Sequence, residues 1–323
     1  MEAAEHCARV MASELQIVVV GDDHHDRTLD QALVQTVGLL DDLEARWSRF
    51  LPHSDITRLN NSPGAWVAVD PFTVTLVVSM IEAWQVTAGA FDPSVLPILV
   101  DAGYRASIDD PWRVTILPDG QLVALGNDAG PTMGDIEIDR SGAAIRLPAG
   151  LALDPGGIGK GLAADLAVQR LLDLGVAGAL VSIGGDMTMV GTPPPTSSDA
   201  GGWSVSVEDP DPSNGELCRL VVSGGGVATS STRSRRWVQA GQERHHLVDP
   251  HLAAQSSTDL ATVTVIARSG WIAEAHATAA LLAGSDGAIA HLDRHDLTGI
   301  AVGLDGTVHA TVDVAIAREL VDR

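Results

Sequence analysis

The chain has 323 residues, of which 45% are apolar and 19% charged, a balance typical of globular proteins and unlike that of disordered chains. It carries 20 basic and 42 acidic residues, and the resulting net charge of −22 repels nucleic acid and anionic membrane surfaces. We therefore expect no nucleic-acid partner, although a biased genome composition or adaptation to salt would give the same charge.

Cysteine content and apolar runs bear on the compartment. Cys7 and Cys218 are too few for a disulfide framework or a Cys-x-x-Cys metal site. The first apolar run, at residues 17–20, is too short for a signal-peptide core, and no run approaches the roughly 18 apolar residues that span a bilayer. We expect a cytoplasmic protein without membrane insertion, although a chain from which a leader had been removed would look the same.

Apolar spacing and turn residues predict elements along the whole chain. Helices are expected at residues 29–50, 71–87, 162–174 and 271–282. Strands are expected at residues 15–20, 114–117, 136–138, 144–147, 151–153, 178–183, 203–208, 218–223, 246–248 and 262–267. Residues 191–202, with three consecutive prolines followed by Ser, Asp and Gly, predict an exposed loop. Many strands with hairpin-like spacing and a few helices predict an α+β fold with largely antiparallel sheets.

A glycine-rich segment lies between a predicted strand and a predicted helix. Residues 153–161 read Leu-Asp-Pro-Gly-Gly-Ile-Gly-Lys-Gly, and free backbone amides at a helix N-terminus favour a phosphate. The segment is not a Walker A loop, because Gly161 follows Lys160 where Ser or Thr should stand, nor does it match a dinucleotide fingerprint. A structural glycine-rich turn is the alternative. Lys160 is the only lysine in a chain whose other basic residues of this class are arginines, and either chance or a chemical need for a compact ammonium explains it.

Two further groups of residues suggest chemistry. Residues 245–251 hold His245, His246, His251 and Asp249, which suits a zinc site, acid–base catalysis or an ordinary surface. Adjacent histidines on a strand point to opposite faces, so we expect at most one of them in a site. In the predicted helix 271–282, Glu274 and Thr278 are four residues apart and share a face, which suits a hard cation such as Mg²⁺ or merely a solvated surface.

Five blocks in order resemble the ApbE family of FAD:protein FMN transferases over nearly the whole chain. They are residues 47–60 (WSRFLPHSDITRLN), 89–97 (GAFDPSVLP), 153–165 (LDPGGIGKGLAAD), 181–186 (VSIGGD), and 227–230 (VATS) with 246–250 (HLVDP). The resemblance implies that residues 1–323 form one ApbE-like domain of two intimately packed lobes with FAD held between them.

The resemblance also assigns residues to the site. The FAD contacts it implies are Met11, Phe50, Ala90, Phe91, Asp92, Asp154, Lys160 and Leu247. The Mg²⁺ ligands it implies are Gly157, Glu274, Ala277 and Thr278. Glu274 stands where the family has Asp, and residues 231–233 depart from the family's usual Gly and acidic residue. These departures bear on the choice of metal and on the flavin pocket.

The function that the resemblance implies is transfer of the FMN half of FAD to a Ser or Thr hydroxyl of an acceptor flavoprotein, with Mg²⁺ and release of AMP. His246 is the expected general base, Asp249 its orienting partner, and Lys160 an electrostatic stabiliser. Two alternatives stay open: a Mg²⁺-dependent FAD pyrophosphatase that releases FMN and AMP, and a non-catalytic FAD-binding protein.

Overall fold

The computed structural model of the protein describes residues 2–21, 26–118, 130–195, 201–239 and 241–313. The chain divides into two compact units, each assembled from separate segments. Unit 1 comprises Met1–Asp41, Lys160–Ser231 and Thr258–Arg323, and unit 2 comprises Asp42–Gly159 and Thr232–Ser257.

Helices and strands alternate irregularly along the described chain. The helices are α1 Asp26–Trp47, α2 Asp55–Asn60, α3 Pro71–Val86, α4 Leu96–Asp101, α5 Gly159–Asp173, α6 Gly270–Leu282 and α7 Gly284–Arg294. The strands are β1 Glu2–Val10, β2 Ser13–Gly21, β3 Trp66–Ala68, β4 Glu137–Asp139, β5 Ala144–Arg146, β6 Gly178–Ile183, β7 Asp186–Gly191, β8 Trp203–Glu208, β9 Glu216–Val222, β10 Gly225–Ser231, β11 Arg236–Gln239, β12 Gln242–His245, β13 Val248–Asp249, β14 Ala254–Gln255, β15 Leu260–Ala267, β16 Thr298–Gly303 and β17 Val308–Ala310.

Unit 1 is built on an eight-stranded sheet in the order β1-β2-β6-β7-β10-β15-β16-β17. Each neighbouring pair is antiparallel. Strands alternate their side chains between the two faces of a sheet, and β10 shows how both faces are covered. Val227 packs among residues of the β8–β9 hairpin, whereas Ala228 packs against α6 through Ile272 and Ala273. The sheet therefore lies between a hairpin and a helix, in agreement with the predicted α+β class.

Unit 2 holds α2, α3, α4, the three-stranded sheet β3-β5-β4, and the strand pairs β11-β12 and β13-β14. Its best-predicted element is α3. The carboxylate of Asp70 accepts a hydrogen bond from the Phe72 amide (2.9 Å), and Pro71 occupies the first turn, where it loses no helical hydrogen bond.

Residues 151–153 were expected to form a strand, and this prediction is wrong. The side-chain amide of Asn60 donates to the Leu153 carbonyl (2.9 Å), and its oxygen accepts from the Leu153 amide (2.8 Å). One side chain thus satisfies both backbone groups of a buried residue, which a neighbouring strand would otherwise do. The apolar run predicted the burial of this segment correctly but not its backbone partner.

Among the boundaries that differ from the prediction, two bear on candidate site residues. Helix α5 begins at Gly159 rather than at residue 162, so Lys160 and Gly161 lie in its first turn and not in the preceding loop. Strand β12 ends at His245, and His246 and Leu247 precede the short strand β13. The expected alternation of His245 and His246 along one strand is therefore wrong.

The predicted loop at residues 191–202 is described only in part, because residues 196–200 lie outside the described chain. Gly191 ends β7 and is exposed, residues 192–194 are half-buried, and Gly202 is buried just before β8. Among the described residues, no helix combines the length and apolar character needed to cross a membrane.

Candidate functional site

Lys160 lies between two buried carboxylates of unit 1. Its Nζ donates to Glu274 Oε1 at 2.7 Å and also pairs with Asp186. Glu274 and Asp186 are each only 4% exposed. Three elements supply the group, since Lys160 is in the first turn of α5, Asp186 begins β7 directly after a Gly-Gly turn, and Glu274 is on α6.

Opposing effects act on the pKa of Glu274 in this group. Burial raises the pKa of Glu274, the Lys160 ammonium opposes that rise, and the nearby Asp186 carboxylate adds to it. Lys160 is therefore the charge that favours the ionised form of Glu274. Losing it would leave buried negative charge without a partner, which is costly in a low-dielectric environment.

Glu274 and Thr278 share one face of α6, as the sequence predicted. Glu274 Oε2 accepts from the Gly161 amide at 2.8 Å, which ties α6 to the first turn of α5. Thr278 is half-buried, and its Oγ1 shares a hydrogen bond of 2.8 Å with Ser230 Oγ on β10. Ala277 is buried beside it. This face offers a carboxylate, a hydroxyl and a nearby carbonyl, all hard oxygen donors.

Asp165 fixes the start of α6. Its carboxylate accepts hydrogen bonds from Thr188 Oγ1 (2.6 Å) and from the amides of Gly270 (2.7 Å) and Trp271 (3.1 Å). Burial raises the pKa of Asp165, and the three hydrogen bonds oppose that rise. A carboxylate at a helix N-terminus satisfies free amides and complements the helix dipole. Asp165 thereby positions the helix that carries Glu274.

In unit 2, Asp154 and Arg49 form a second fixed group. Asp154 caps the short 3₁₀ turn Pro155–Gly157 by accepting from the Gly156 amide (2.9 Å), and Arg49 Nε lies 3.2 Å from its other oxygen. Arg49 is 4% exposed, and its guanidinium donates to Thr115 Oγ1 at 2.6 Å. Its Cζ lies 4.1 Å from the Phe50 ring centroid, a cation–π contact. Phe50 and Asp154 are thus held together through Arg49.

Aromatic rings extend this group. The Tyr104 ring lies 4.8 Å from the Arg49 Cζ and stacks on Trp237 at 5.2 Å with an interplanar angle of 15°. Trp237 Nε1 donates to the Ala102 carbonyl (2.7 Å), which fixes the outer ring of the stack. Flat, partly polar rings of this kind are suited to contact with flavin or adenine rings.

Residues 90–92 precede α4 in unit 2. Phe91 is buried, and a Cβ placed on Gly157 would lie only 2.8 Å from its ring, so Gly157 is needed for this approach. The Asp92 carboxylate accepts from both the amide (2.8 Å) and the hydroxyl (2.7 Å) of Ser94. Burial raises the pKa of Asp92 against the effect of these bonds. Ala90 is half-buried next to them.

The histidine segment in unit 2 is organised by turns. His246 is half-buried, and Leu247 is buried, with its carbonyl accepting from the Ser256 amide at 3.0 Å. Asp249 Oδ1 accepts from the amides of His251 (2.9 Å) and Leu252 (3.2 Å). These two bonds make Asp249 the cap of the turn that follows it.

The residues assigned by resemblance fall in both units. Unit 1 holds Met11, Lys160, Glu274, Ala277 and Thr278, of which the structure joins Lys160 to Glu274. Met11 is in the turn between β1 and β2 with a positive φ of 52°. Unit 2 holds the other assigned residues, namely Phe50, Ala90, Phe91, Asp92, Asp154, Gly157, His246, Leu247 and Asp249.

Comparison with known proteins decides the family. The model of the ApbE family matches residues 11–302. The chain belongs to the ApbE family. Curated relatives of this ApbE chain include FAD:protein FMN transferases from Treponema pallidum, 29% identical over 78% of this chain and 71% of the relative, and from Salmonella typhimurium, 26% identical over 92% and 83%.

Solved structures agree on the fold. The ApbE protein of Thermotoga maritima superposes with a TM-score of 0.82 at 23% identity, covering 98% of this chain and 99% of that one. The apo flavinyl transferase ApbE of Pseudomonas stutzeri gives a TM-score of 0.77 at 23% identity, covering 98% and 97%. The ApbE-like α+β fold predicted from the sequence is confirmed.

Three structural partners in this ApbE chain were not predicted from the sequence. Asp186 stood in a matched block without a role, although a lone acid after Gly-Gly at the end of an apolar strand indicated a buried carboxylate. Asp165 is the last residue of another matched block, and it was likewise given no role. Arg49 gave no signal, because its partners Thr115 and Asp154 are distant in sequence.

Proposed function

We propose that this protein transfers the FMN half of FAD to a Ser or Thr hydroxyl of an acceptor flavoprotein and releases AMP. The family match over residues 11–302 and curated relatives that carry the name FAD:protein FMN transferase support this activity. The observation in the site that carries the proposal is the group formed by Lys160, Asp186 and Glu274 at the start of α5. It sets an ammonium, helix amides and buried carboxylates together at the N-terminus of one helix, which suits a pyrophosphate and its cation.

The reaction is a substitution at phosphorus. The acceptor hydroxyl oxygen attacks the FMN-side phosphorus, and a new phosphoester P–O bond forms. The P–O bond to the bridging pyrophosphate oxygen breaks, and AMP leaves with that electron pair. The proton of the hydroxyl passes to a base on the enzyme. Lys160 and the first amides of α5 stabilise negative charge on the phosphate oxygens as it shifts toward the leaving group.

His246 is the proposed base. It is one of the two half-buried histidines of the segment, the other being His245, and an imidazole accepts a proton near neutral pH. Asp249 acts as a positioning residue, since its carboxylate holds the turn at residues 249–252 that follows His246.

Magnesium fits the donors on α6. Glu274 is a buried carboxylate whose two oxygens each accept one hydrogen bond, and a carboxylate has about four lone-pair sites in all. The Thr278 hydroxyl and the carbonyls of Ala277 and Gly157 complete the proposed set of hard oxygen ligands. Bound there, Mg²⁺ would offset pyrophosphate charge and orient the leaving group.

The other proposed FAD contacts come from both units. The assignment of Phe50 and Asp154 as FAD contacts is supported by Arg49, which contacts both residues and holds the ring and the carboxylate in fixed positions. Ala90, Phe91 and Asp92 are supported by the packing of Phe91 on Gly157. The assignment of Met11 and Leu247 as FAD contacts is supported only by the resemblance to the ApbE family.

The test compares FAD turnover with and without an acceptor. The protein is incubated with FAD and Mg²⁺, and AMP and FMN are separated by chromatography. A transferase releases AMP quickly only when an acceptor flavoprotein is present, and free FMN stays low. Equal rates of AMP and free FMN release without any acceptor would instead indicate a pyrophosphatase. Tight FAD binding with no AMP under either condition would indicate a non-catalytic flavin-binding protein.

A further inference from the structure

Three histidines of unit 1 converge at the contact between α6 and α7. His276 is on α6, His291 is on α7, and His295 directly follows the end of α7. One ligand nitrogen of each ring lies within 4.8 Å of those of the other two. His276 Nδ1 and His291 Nε2 share a hydrogen bond of 3.0 Å. The three ring centroids are 4.8–5.2 Å apart.

The backbone explains this convergence. Gly284, with φ of 69°, allows α7 to begin directly after α6, so that the two helices contact each other side by side. His291 and His295 are four residues apart and face the same side of α7, toward His276. The three histidines are therefore brought together by two consecutive helices alone.

The cluster faces away from the proposed magnesium ligands. His276 is two residues from both Glu274 and Thr278, which corresponds to about 200° around a helix. The contacts agree, because Glu274 reaches Gly161 and Thr278 reaches Ser230, whereas His276 reaches His291. The three imidazoles are therefore a separate group with different donor chemistry.

The environment of the rings suits metal binding. His276 is 4% exposed, His291 is 7% exposed, and His295 is half-buried, so the cluster is largely desolvated but open on one side. The hydrogen bond between His276 Nδ1 and His291 Nε2 needs an unprotonated nitrogen on one of the two rings, and neutral imidazole is the form that binds metal. Within the described residues, the only hydrogen bond that these rings form is the one between His276 and His291.

We propose that His276, His291 and His295 bind one divalent transition-metal ion of the zinc type, with water in the fourth position. Imidazole nitrogens bind Zn²⁺ at about 2.0–2.1 Å, which places the nitrogens of a tetrahedral site roughly 3.3 Å apart. The pair at 3.0 Å is already near that spacing, and small ring rotations bring in the third ring. Nitrogen ligands favour Zn²⁺, Co²⁺ or Ni²⁺ over Mg²⁺, which takes oxygen ligands.

The ion would join α7 to α6, the helix that carries Glu274 and Thr278. It would act as a structural clamp behind the proposed active face and not as a participant in phosphoryl transfer. Bound metal should then raise the thermal unfolding temperature of the full chain, because it binds the folded state only.

The experiment titrates metal-free full-length protein with Zn²⁺ and with Co²⁺ in a large excess of Mg²⁺. We expect one ion per chain, a Co²⁺ visible spectrum of four-coordinate type, and a higher unfolding temperature with Zn²⁺. His295→Ala is the first variant, because this half-buried ring can be removed with little effect on the core. It should weaken Zn²⁺ binding by at least about tenfold, since even outer-shell partners of a metal site contribute about 10- to 100-fold.

His53→Ala is the matched control, since His53 is exposed and lies in unit 2. It should leave Zn²⁺ affinity unchanged. Zinc X-ray absorption of the unaltered protein gives a second measurement that does not depend on a folded variant, and should show imidazole scattering from about three ligands. Absence of stoichiometric Zn²⁺ binding, or binding that His295→Ala leaves unchanged while scattering shows oxygen ligands, would overturn the proposal. FAD turnover is not part of this readout, so either proposal can fail without the other.

Discussion

Gly161 and Gly270 approach so closely that neither position has room for a side chain. A Cβ on Gly161 would lie 2.4 Å from the Gly270 carbonyl oxygen, and one on Gly270 would lie 2.6 Å from the Gly161 oxygen. The first turn of α5 therefore packs on the start of α6 backbone to backbone. This contact explains why glycine follows Lys160 where a Walker A loop has Ser or Thr, and it brings Lys160 within reach of Glu274.

Replacing Gly161 with Ala should force α5 and α6 apart. We expect a loss of about 1–3 kcal/mol in the free energy of unfolding, the usual cost of overpacking a close contact. Urea denaturation measures it. The control is Gly38→Ala on α1, where nothing lies within 4 Å of the added Cβ. Alanine favours a helix by about 1 kcal/mol over glycine, so the control should be neutral or stabilising. Equal effects of the two substitutions would contradict the proposed role of the contact.

Lys160 and Glu274 should be strongly coupled in stability. Lys160→Met leaves buried carboxylates without their cation and should destabilise the protein by about 3–5 kcal/mol. Glu274→Gln removes one of those charges, so the double variant should lose less than the sum of the single variants by about 0.5–3 kcal/mol. A double-mutant cycle in urea, with metal-free protein, gives the coupling directly. Additive single effects would show that the ion pair contributes nothing to folding.

Magnesium binding should depend on the donors of α6. Glu274→Gln keeps the size of the side chain but removes its charge, and Thr278→Val keeps the shape but removes the hydroxyl. Each should weaken Mg²⁺ binding to FAD-loaded protein by at least about tenfold, since a hard cation needs charged or polar oxygen ligands. Calorimetric titration measures the affinity, and Glu82→Gln on the exposed side of α3 is the control. Unchanged affinity in both site variants would refute the ligand assignment.

His246 should contribute to the rate and not to FAD binding. His246→Ala is expected to slow FMN transfer by about 10²–10⁴-fold, the usual contribution of a positioned proton acceptor. FAD affinity, measured by fluorescence, should change little. His251→Ala in the same segment is the control, because His251 is exposed. A small effect of His246→Ala on the transfer rate would show that another group acts as the general base.

The fold could be predicted largely because apolar patterns are local. Helix α3 was predicted to within one residue, since Asp70 and Pro71 mark its start. Strand β8 was predicted with both ends correct, because its alternate residues face the core. The strand prediction for residues 151–153 failed because the partner of the Leu153 backbone is a side chain distant in sequence. That side chain belongs to Asn60, which is 93 positions away from Leu153.

The candidate site shows the same limit. The Glu274 and Thr278 face followed from helical spacing, and Lys160 was notable because it is the only lysine. Asp186 and Asp165 could not be given roles, because their partners are on other elements: Lys160 is 26 positions from Asp186, and Gly270 is 105 positions from Asp165. Spacing along one helix is visible in a sequence, whereas contacts between elements depend on the packing.

The most direct test of the central claim is the fate of FMN in the presence of an acceptor. Purified protein, FAD, Mg²⁺ and a flavoprotein with an exposed Thr or Ser are incubated, and the acceptor is digested and mapped by mass spectrometry while AMP is quantified. We predict FMN linked through a phosphoester to one hydroxyl residue, one AMP released for each FMN attached, and no labelling when that residue is replaced by Val or Ala. Release of FMN and AMP with an unmodified acceptor, found for several candidate flavoproteins, would contradict transfer.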